Sequence, residues 1–473
     1  MICRGLILLV CAAFMASAVA AENPGRRGRS KQSAQTSRWN DVPAHPFDLV
    51  LGRPTSNAVT VSVLSYSDAE GWLAYGTQRG SLTARTPARS FKQGQPAEIR
   101  LSGLDANTRY FYQFRSGGTN SPEYSFHTAR PPGSAFTFTV TADSHLDDRA
   151  DGAIYQRTLA DALADAPDFH IDLGDTFMTE KHATREAAAG QYLAQRYYFG
   201  QLCHSAPLFL VLGNHDGESP NGRGADADGL AVWSNRMRKQ YFPNPVPDGF
   251  YTGDAAEHPP AGLLQDYYAW GWGDALFIVL DPYWFAPRQR GQGDNWQRTL
   301  GAEQYQWLKR TLEASRARFK FVFIHQLVGG LAEQGRGGAE AATGYEWGGR
   351  NADGSDGFRQ HRAGWPEPIH QLLLRNKVRI VFHGHDHFYA KQELDGIVYQ
   401  EVPQPGYPGN GKPPRSAAEY GYRSGTILGS PGHLRIKVAE SGAAVAYIQP
   451  DTNTGIRSAT ADGRILHSYT VGP

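Results

Sequence analysis

Five clusters of Asp, Asn and His residues, each directly after an apolar run, contain the side chains of this sequence that could do chemistry. Their carboxylate, amide and imidazole groups, with no thiolate among them, suit Mn, Fe or Zn better than a metal that prefers soft ligands. The seven candidate ligands are too many for one ion and therefore predict a pair of ions. Only a carboxylate bridges two ions through its oxygens, which favours Asp175 as the bridge. In chain order the clusters are Asp143-Ser144-His145, Gly174-Asp175, Gly213-Asn214-His215-Asp216, His325 and Gly384-His385-Asp386-His387.

The elements that must position these clusters alternate between apolar strands and amphipathic helices, which is typical of an α/β layered domain. Ligands of open α/β sheets bind beyond the carboxyl ends of the strands, so we expect the clusters to converge in one crevice. Strand 275–280 is predicted to end without such a cluster. The strands that end at a cluster are predicted at residues 136–142, 169–173, 208–212, 319–324 and 378–382, with helices near 154–163, 185–202, 303–314 and 366–375.

Short alternating runs between turn residues predict a small all-β domain over residues 45–131. The segment from Leu101 to Tyr112 resembles fibronectin type III sandwiches, in which a tyrosine braces the corner between strands. Tyr110 is the candidate for that brace. Aromatic side chains at a period of two are more often core than a sugar-binding surface, so this domain is assigned no chemistry.

The first residues predict a secretory signal peptide over residues 1–21, with Arg4 before an apolar stretch and Ala18-Val19-Ala20 at the cleavage site. The apolar stretch is shorter than the ~20 residues that span a bilayer, and no later run is long enough. We therefore expect an exported protein, secreted or periplasmic, without stable membrane insertion. Residues 22–44, which lack apolar periodicity, are predicted to be a disordered linker.

Net charge and cysteine content limit the partners and the disulfide bonds that this protein can have. The net charge is +1 and the basic residues form no stripe, which argues against a specific nucleic-acid partner. Two of the three cysteines, Cys3 and Cys11, lie in the predicted signal peptide. Cys203 is therefore alone in the mature chain, where no internal disulfide can form, and we predict that it packs in the core.

The order of the five clusters resembles the calcineurin-like metallophosphoesterase superfamily over about residues 135–450. The resemblance implies an α/β fold, a four-layer αββα sandwich over residues 135–473, preceded by the small fibronectin type III-like sandwich. It also implies that His215 faces the substrate as general acid or transition-state stabiliser, and that Asp216 beside it could orient the ring. Carried over residue by residue, the implied ligands are Asp143, His145 and His387 for one metal and Asn214, His325 and His385 for the other, with Asp175 between them.

Together with the N-terminal sandwich, the layout resembles purple acid phosphatases, with two departures. Those enzymes carry Asp-x-Gly where this chain has Asp143-Ser144-His145, and a tyrosine ligand where this chain has Met178. Without that tyrosine no Fe(III)-phenolate band is expected. We therefore predict a colourless enzyme with two divalent or mixed-valence ions of Fe, Mn or Zn. His383 is predicted to support the site or to pack rather than to bind metal.

The resemblance implies hydrolysis of small phosphate monoesters by in-line attack of a metal-bound hydroxide, without a covalent intermediate. Phosphodiesterase activity on nucleotide or lipid-derived diesters uses the same metal core and stays open as an alternative. A non-catalytic binding protein is a third alternative, against which the full ligand set argues. The glycine-rich segment 329–364 contains Arg336, Arg350 and Arg362. It is either a loop that binds the substrate or an ordinary surface loop. The same two alternatives stay open for segment 217–228.

Overall fold

The computed structural model describes residues 35–147, 149–220, 226–286, 295–329, 336–452 and 463–473. The predicted signal peptide lies outside these residues, as do residues 22–34 of the predicted linker and parts of both glycine-rich segments, 221–225 and 330–335. In the part of the chain that is described, no helix has the length and apolar character needed to cross a membrane.

The linker prediction is corrected at its C-terminal end, because residues 35–44 make specific contacts. Nη2 of Arg38 donates to the main-chain oxygen of Asp147 at 3.0 Å. A one-turn 3-10 helix, Trp39–Asp41, follows, and its tryptophan ring stacks on Tyr66 with centroids 5.3 Å apart. Polar composition alone predicted a linker here, whereas contacts of Gln35, Arg38 and Trp39 attach the segment.

The N-terminal sandwich forms from short strands that pair in antiparallel fashion. One of its sheets has the order β1-β2-β6, and the other has the order β4-β3-β7-β8, with β5 beside β3 and β9 beside β7. These strands are β1 Phe47–Gly52, β2 Ala58–Ser65, β3 Ala69–Gly76, β4 Ala84–Arg85, β5 Arg89–Phe91, β6 Ala97–Ser102, β7 Arg109–Ser116, β8 Thr119–Asn120 and β9 Tyr124–His127.

Alternating side chains of the two sheets build the sandwich core. Val61 and Val63 of β2 are buried in one cluster with Tyr112 of β7. The Tyr110 hydroxyl accepts the main-chain N–H of Asp105 at 2.9 Å. This bond from a tyrosine back to the chain just before it is the predicted corner brace, which the structure confirms.

Two further sheets follow the sandwich within the described residues. The six-stranded sheet has the order β12-β11-β10-β21-β22-β23, and the eight-stranded sheet β13-β14-β15-β16-β17-β19-β18-β20. Strands β10 to β12 are parallel, as are β15 to β17, so their carboxyl ends share one edge of each sheet. The strands are β10 Phe136–Thr141, β11 Phe169–Asp172, β12 Leu208–Leu210, β13 Thr252–Gly253, β14 Tyr268–Trp272, β15 Ala275–Val279, β16 Phe319–Phe323, β17 Ile380–His383, β18 Tyr389–Leu394, β19 Ile397–Glu401, β20 Thr426–Leu428, β21 His433–Ala439, β22 Gly442–Gln449 and β23 Arg464–Val471.

Helices cover the outer faces of these two sheets. Helices α1 and α2 share a core with the six-stranded sheet, and α4 and α8 share another with the eight-stranded sheet. The inner faces of the sheets meet in a third core, which confirms the predicted four-layer αββα sandwich. The helices are α1 Gly152–Ala164, α2 Arg185–Cys203, α3 Leu230–Tyr241, α4 Ala302–Ala314, α5 Gly338–Ala341, α6 Tyr345–Gly348, α7 Phe358–His361, α8 Ile369–Arg375 and α9 Ser416–Glu419.

Side-chain alternation decides which layer each strand residue joins. Phe321 and Phe323 of β16 enter the core between the sheets, whereas Val322 between them faces the helices. A strand that is buried on both faces shows a nearly continuous apolar run in its sequence, and β16 was predicted from such a run, which only Lys320 interrupts. Cys203, at the end of α2, is buried in the core beneath α1 and α2, as predicted.

A buried arginine attaches the sandwich to the α/β domain. Arg196 of α2 has no exposed surface, and its Nη2 donates to the main-chain oxygens of Asp48 at 3.1 Å and Ser62 at 3.0 Å. Its Nη1 donates to Oγ of Ser62 and to the main-chain oxygen of Tyr241. A buried guanidinium is tolerated only with such partners, so this contact between the domains is specific.

Candidate metal centre

The five polar clusters lie just beyond the carboxyl ends of strands from both sheets. The inner layers thereby bring together residues that are far apart in sequence: the main-chain N–H of His385 donates to Oδ2 of Asp143, 242 positions away, at 2.8 Å. The six-stranded sheet supplies Asp143 after β10, Asp175 after β11 and Asn214 after β12, and the eight-stranded sheet supplies His325 after β16 and His385 and His387 after β17.

The first ligand group consists of Asp143, His145 and His387, whose potential ligand atoms all lie within 4.8 Å of one another. Nε2 of His387 is 3.2 Å from Oδ1 of Asp143 and 3.4 Å from Nε2 of His145. Asp143 and His145 are buried, whereas the His387 side chain is 31% exposed. The first group is therefore accessible from solvent on the His387 side.

The second ligand group consists of Asp175, His325 and His385, again with potential ligand atoms within 4.8 Å. Nε2 of His325 is 3.5 Å from Oδ2 of Asp175 and 3.2 Å from Oδ1 of Asn214, so Asn214 lies beside this group. Oδ1 of Asp143 is also 3.9 Å from Nε2 of His325. Because the distances link the groups through Asp143, the bridging role of Asp175 stays a prediction.

Contacts at the far nitrogen orient two of the imidazole rings. Nδ1 of His325 lies 2.7 Å from the main-chain oxygen of Leu173, and Nδ1 of His145 lies 3.3 Å from Oδ2 of Asp147. When Nδ1 of His325 donates to that oxygen, the lone pair of its Nε2 is left for the cluster, and the Asp147 carboxylate lies at ion-pair distance from Nδ1 of His145. Metal-binding histidines usually show this arrangement.

Buried atoms without hydrogen bonds show that the cluster fits cations. Oδ1 of Asp143 and Nδ1 of His385 are both buried, and no hydrogen bond reaches either atom from the described residues. A buried polar atom in this condition is unfavourable unless a ligand satisfies it. The oxygen and imidazole donors around these atoms are of the kinds that Mn, Fe and Zn accept.

Opposite charges keep the carboxylates of the cluster ionised. Burial by itself would raise the pKa of Asp175, but the imidazoles of His325 and His215 lower that pKa well below its ordinary value. Burial by itself would lower the pKa of His325, yet the carboxylates of Asp175 and Asp143 raise it to about 10. The carboxylates are therefore held in the charged form that binds cations.

Two glycines allow the loops of the cluster to approach one another. A Cβ on Gly213 would lie 1.9 Å from the main-chain nitrogen of Asp175. A Cβ on Gly384 would lie 2.9 Å from Oδ2 of Asp143. Both distances are shorter than van der Waals contact, so the glycines before Asn214 and His385 are required by the packing of neighbouring loops.

Several of the candidate ligands have left-handed backbone conformations. The angle φ is 55° at Asp143, 53° at Asp175, 83° at His385 and 67° at His387. Such a conformation costs on the order of 1–3 kcal/mol at a residue other than glycine and is concentrated at functional sites. The surrounding hydrogen bonds must supply the stability that these residues lack locally.

His215 lies beside the second group and is oriented by a residue that the sequence did not reveal. Its main-chain N–H donates to Oδ1 of Asp175 at 2.7 Å, and its Nδ1 lies 2.5 Å from Oε1 of Glu180. The His215 side chain is 18% exposed. Glu180 belongs to a 3-10 turn, Thr179–Lys181, and follows no strand, so the rule that located the other clusters could not find it.

Asp216 is engaged elsewhere, which corrects the prediction that it orients the His215 ring. Both oxygens of its carboxylate are taken by main-chain donors at 2.8–3.1 Å. Asp216 thereby ties the loop after β11 to the loop after β12 and supports the positions of the residues on both. The donors are the N–H groups of Gly213, Asp175, Thr176 and Phe177.

Residues after a sixth strand, β15, also lie next to the site, although strand 275–280 was predicted to end without a polar cluster. Asp281 follows β15, and its Oδ1 accepts the main-chain N–H of Tyr283 at 2.8 Å. The ring centroid of Tyr283 lies 6.2 Å from that of His325. Burial, and then the charge of Asp175, raise the pKa of the Tyr283 phenol well above its ordinary value, so it stays neutral. The position of Asp281, directly after the apolar run, could have indicated from the sequence that this strand end is near the site.

His383 lies behind the last cluster in a supporting position. It is buried, and its Nδ1 is 2.7 Å from Oε2 of Glu401. The other oxygen of Glu401 accepts the main-chain N–H of Asp386 at 3.0 Å. His383 and Glu401 thus hold the loop that carries His385 and His387, in agreement with the role predicted for His383.

The three arginines of the glycine-rich segment 329–364 have different surroundings. Arg362 forms an ion pair of 2.5 Å with the buried Glu346 and has a structural role. Arg350 is exposed. Nη2 of Arg336 lies 2.6 Å from Nε2 of His385. Of the three, Arg336 is the one that touches a ligand group.

Comparisons with known proteins agree with this architecture. The model of the calcineurin-like phosphoesterase family matches residues 136–389, and that of the purple acid phosphatase N-terminal domain matches residues 45–128. The solved structure of PhoD aligns with a TM-score of 0.64 at 15% identity, over 91% of this chain and 92% of that chain. Purple acid phosphatase PPD1 from yellow lupin, Lupinus luteus, aligns with a TM-score of 0.58 at 16% identity, over 90% and 74%. No curated protein matches the sequence.

At these identities the two solved structures show a shared fold. The family match is stronger evidence, because it spans more than half of the chain and contains all six residues of the two ligand groups. The family binds a dinuclear metal centre, and the chain offers two candidate ligand groups for it. This chain therefore belongs to the calcineurin-like phosphoesterase family and is a metal-dependent phosphoester hydrolase.

Proposed function

We propose that the two ligand groups hold a pair of cations and that the enzyme hydrolyses small phosphate monoesters there. The observation that carries the proposal is the convergence of carboxylate, amide and imidazole donors from five strand ends on adjacent positions. Asp143, His145 and His387 would hold the first ion, and Asn214, His325 and His385 the second, with Asp175 available to both.

When bound, the two ions supply neutralisation of the phosphate charge and activation of water for in-line attack. The chain's own contribution is to fix the donors before substrate arrives. Asp147 and the main-chain oxygen of Leu173 hold the His145 and His325 rings in the ligating orientation. Asp216 holds the two loops that carry the central donors.

His215 donates a proton to the leaving oxygen of the ester. Its Nδ1 lies 2.5 Å from Oε1 of Glu180, and that carboxylate stabilises the protonated ring before transfer. His215 is partly exposed beside the second group, which is where a leaving group must depart. Glu180 positions His215 in the way first expected of Asp216.

Turnover of p-nitrophenyl phosphate compared with bis(p-nitrophenyl) phosphate tests this proposal in the purified protein. We expect the monoester to be the better substrate. A strong preference for the diester would replace the monoester assignment with the phosphodiesterase alternative. A protein with two bound metals and no activity on a panel of phosphate esters would instead support a non-catalytic binding role.

Elemental analysis and the visible spectrum test the metal assignment. We propose two ions of Fe, Mn or Zn and a colourless protein, because Met178 stands where a tyrosine ligand would be needed for a phenolate band. An Asn214→Ala variant should lose occupancy of one ion, and a His215→Ala variant should keep both. A purple protein would show that another phenol binds iron.

Export is part of the same proposal. The sequence of residues 1–21 supports it, and those residues lie outside the described part of the chain. N-terminal sequencing of the protein from the medium or periplasm should find a chain that begins near residue 22. Recovery of the full-length chain from the cytoplasm alone would rule out the export proposal.

A further inference from the structure

We infer that Arg336 binds the phosphoryl group of the substrate and makes the site selective for monoesters over diesters. The inference rests on the proposed function, hydrolysis of phosphate esters at the two ligand groups. It assigns a specificity-determining residue to that site. The contacts that carry it fall into three sets: those that hold the guanidinium, those that hold Asp386 as its anchor, and those of the edge that faces His385.

The guanidinium of Arg336 is held on one edge and one face. Its Nε lies 3.0 Å from Oδ1 of Asp386, and its central carbon lies 4.0 Å from the ring centroid of Tyr420. The main-chain N–H of Arg336 donates to the main-chain oxygen of Tyr420 at 3.1 Å. A planar cation fixed in this way loses little further freedom when it binds an anion.

The anchor of Arg336 is itself rigid and belongs to the metal-binding loop. Asp386 is buried, and its Oδ2 accepts the Tyr422 hydroxyl at 2.8 Å. Its main-chain N–H donates to Glu401 at 3.0 Å. Because Asp386 stands between His385 and His387, the loop that presents two candidate ligands also sets the position of the arginine.

The other edge of the guanidinium faces the ligand groups. Nη2 is engaged by His385, at 2.6 Å from its Nε2 and 3.4 Å from its main-chain oxygen. Nη1 makes no hydrogen bond with the described residues, and the Arg336 side chain is 24% exposed. The charge is therefore accessible to an anion that lies over the second group. Arg362 of the same segment could not act in this way, because all three of its side-chain nitrogens already donate, to Glu346 and to the main-chain oxygens of His361 and Trp296.

The chemistry of the two ester classes turns this geometry into selectivity. A monoester has one more charged, non-bridging oxygen than a diester, and that oxygen is free for an arginine once the others face the cations. In a diester the same position carries a second ester group, which has no charge and needs space. Arg336 thus stabilises the bound monoester and gains nothing from a diester.

The test uses the metal-loaded enzyme with Arg336→Gln and Arg336→Lys. We expect kcat/KM for p-nitrophenyl phosphate to fall about 10- to 100-fold in Arg336→Gln and less in Arg336→Lys, since a charged hydrogen bond is lost. The value for bis(p-nitrophenyl) phosphate should stay within about threefold. The inhibition constant of inorganic phosphate should weaken in parallel with the monoester value, with both metals retained.

Arg350→Gln is the matched control, because Arg350 lies in the same segment, is exposed, and lines a separate cavity together with Arg359 and Pro366. A Tyr420→Leu variant, which removes only the supporting ring, should shift the same three measurements in the same direction by a smaller factor. It also serves as the independent test if Arg336→Gln does not fold.

An equal loss of monoester and diester turnover with unchanged phosphate inhibition would overturn the inference and leave Arg336 a structural residue. Loss of a metal in Arg336→Gln would overturn it in favour of a role through His385. Failure of the proposed function looks different, because the unmodified enzyme would then hydrolyse neither ester or would strongly prefer the diester.

Discussion

The two ligand groups are similar in composition and differ in what holds them. In the first group, the His145 ring is oriented by a side chain, the carboxylate of Asp147, which is itself 17% exposed. In the second group, the His325 ring is oriented by the main-chain oxygen of Leu173, and both are fully buried. A main-chain partner is supplied by the sheet whatever the side chain is, whereas a side-chain partner can be lost by one substitution. We therefore expect the first group to be the more fragile half of the centre.

The largest effect should come from Asp175→Ala, which tests whether the two groups act as one. A shared carboxylate contributes to both ions, so its loss should remove several kcal/mol of transition-state stabilisation and lower kcat/KM by roughly 10³-fold or more. Metal content should fall toward one ion or none. Asp353→Ala, at an exposed turn, is the control and should behave like the unmodified protein. If one ion is retained at full affinity, Asp175 belongs to the second group alone.

The second-largest effect should come from replacing His215, which lies beside the second group but belongs to neither set of ligands. His215→Gln should lower kcat by about 10²- to 10³-fold, because proton transfer to the leaving oxygen is lost, while both metals stay bound. Glu180→Gln should cause a smaller loss through the same step. In the double variant the losses should not multiply, since the two residues act as a unit. Full multiplication of the two losses would separate Glu180 from His215.

The difference between the groups is tested directly by Asp147→Asn. The variant amide cannot hold the His145 ring as the carboxylate does, so affinity for one ion should fall by about 10- to 100-fold while the other ion is unaffected. Titration of the metal-free protein with elemental analysis measures both affinities. Leu173→Ile is the matched control, because it keeps the main-chain oxygen that orients His325. Equal weakening of both ions by Asp147→Asn would contradict the comparison.

The smallest effect should come from Arg38→Ala, in the N-terminal segment. Arg38 donates to the main-chain oxygen of Asp147, so it supports the first group indirectly, through Asp147. We expect a change of about two- to fivefold in affinity for the first ion and none for the second, as for other contacts at a partly exposed site. Arg109→Ala, on the exposed surface of the sandwich, is the control. An effect on both ions would mean that the segment stabilises the whole domain.

Parts of the fold were accessible from sequence because burial on both faces leaves a continuous apolar run. Apolar runs located β10, β11, β12, β15, β16 and β17, and an amphipathic pattern located α2 within a residue of its ends. Neither pattern revealed α3 or the strands β21 to β23. Strand β21 pairs with β10 almost 300 positions earlier, and no local pattern records which strand will be a neighbour. Register and strand order are decided by pairing over long separations.

The hydrogen-bond partners of the site residues could not be predicted from local sequence either. The sequence placed Asp216 beside His215, yet its carboxylate accepts four main-chain N–H groups, and Glu180 faces the ring instead. Adjacent residues on a tight loop point in different directions. Only the path of the loops after β11 and β12 determines which side chain each one meets.

The sequence by itself determined the chemical kind of the site: hard oxygen and imidazole donors, each placed where an apolar strand ends, with glycines before Asp175, Asn214 and His385. The tertiary structure decided how those donors meet, in two groups joined through Asp143, and which neighbours orient them. The physical reason is that the loops adopt left-handed conformations at Asp143 and His387 that local preferences disfavour. Such conformations persist only where contacts with distant strands stabilise them.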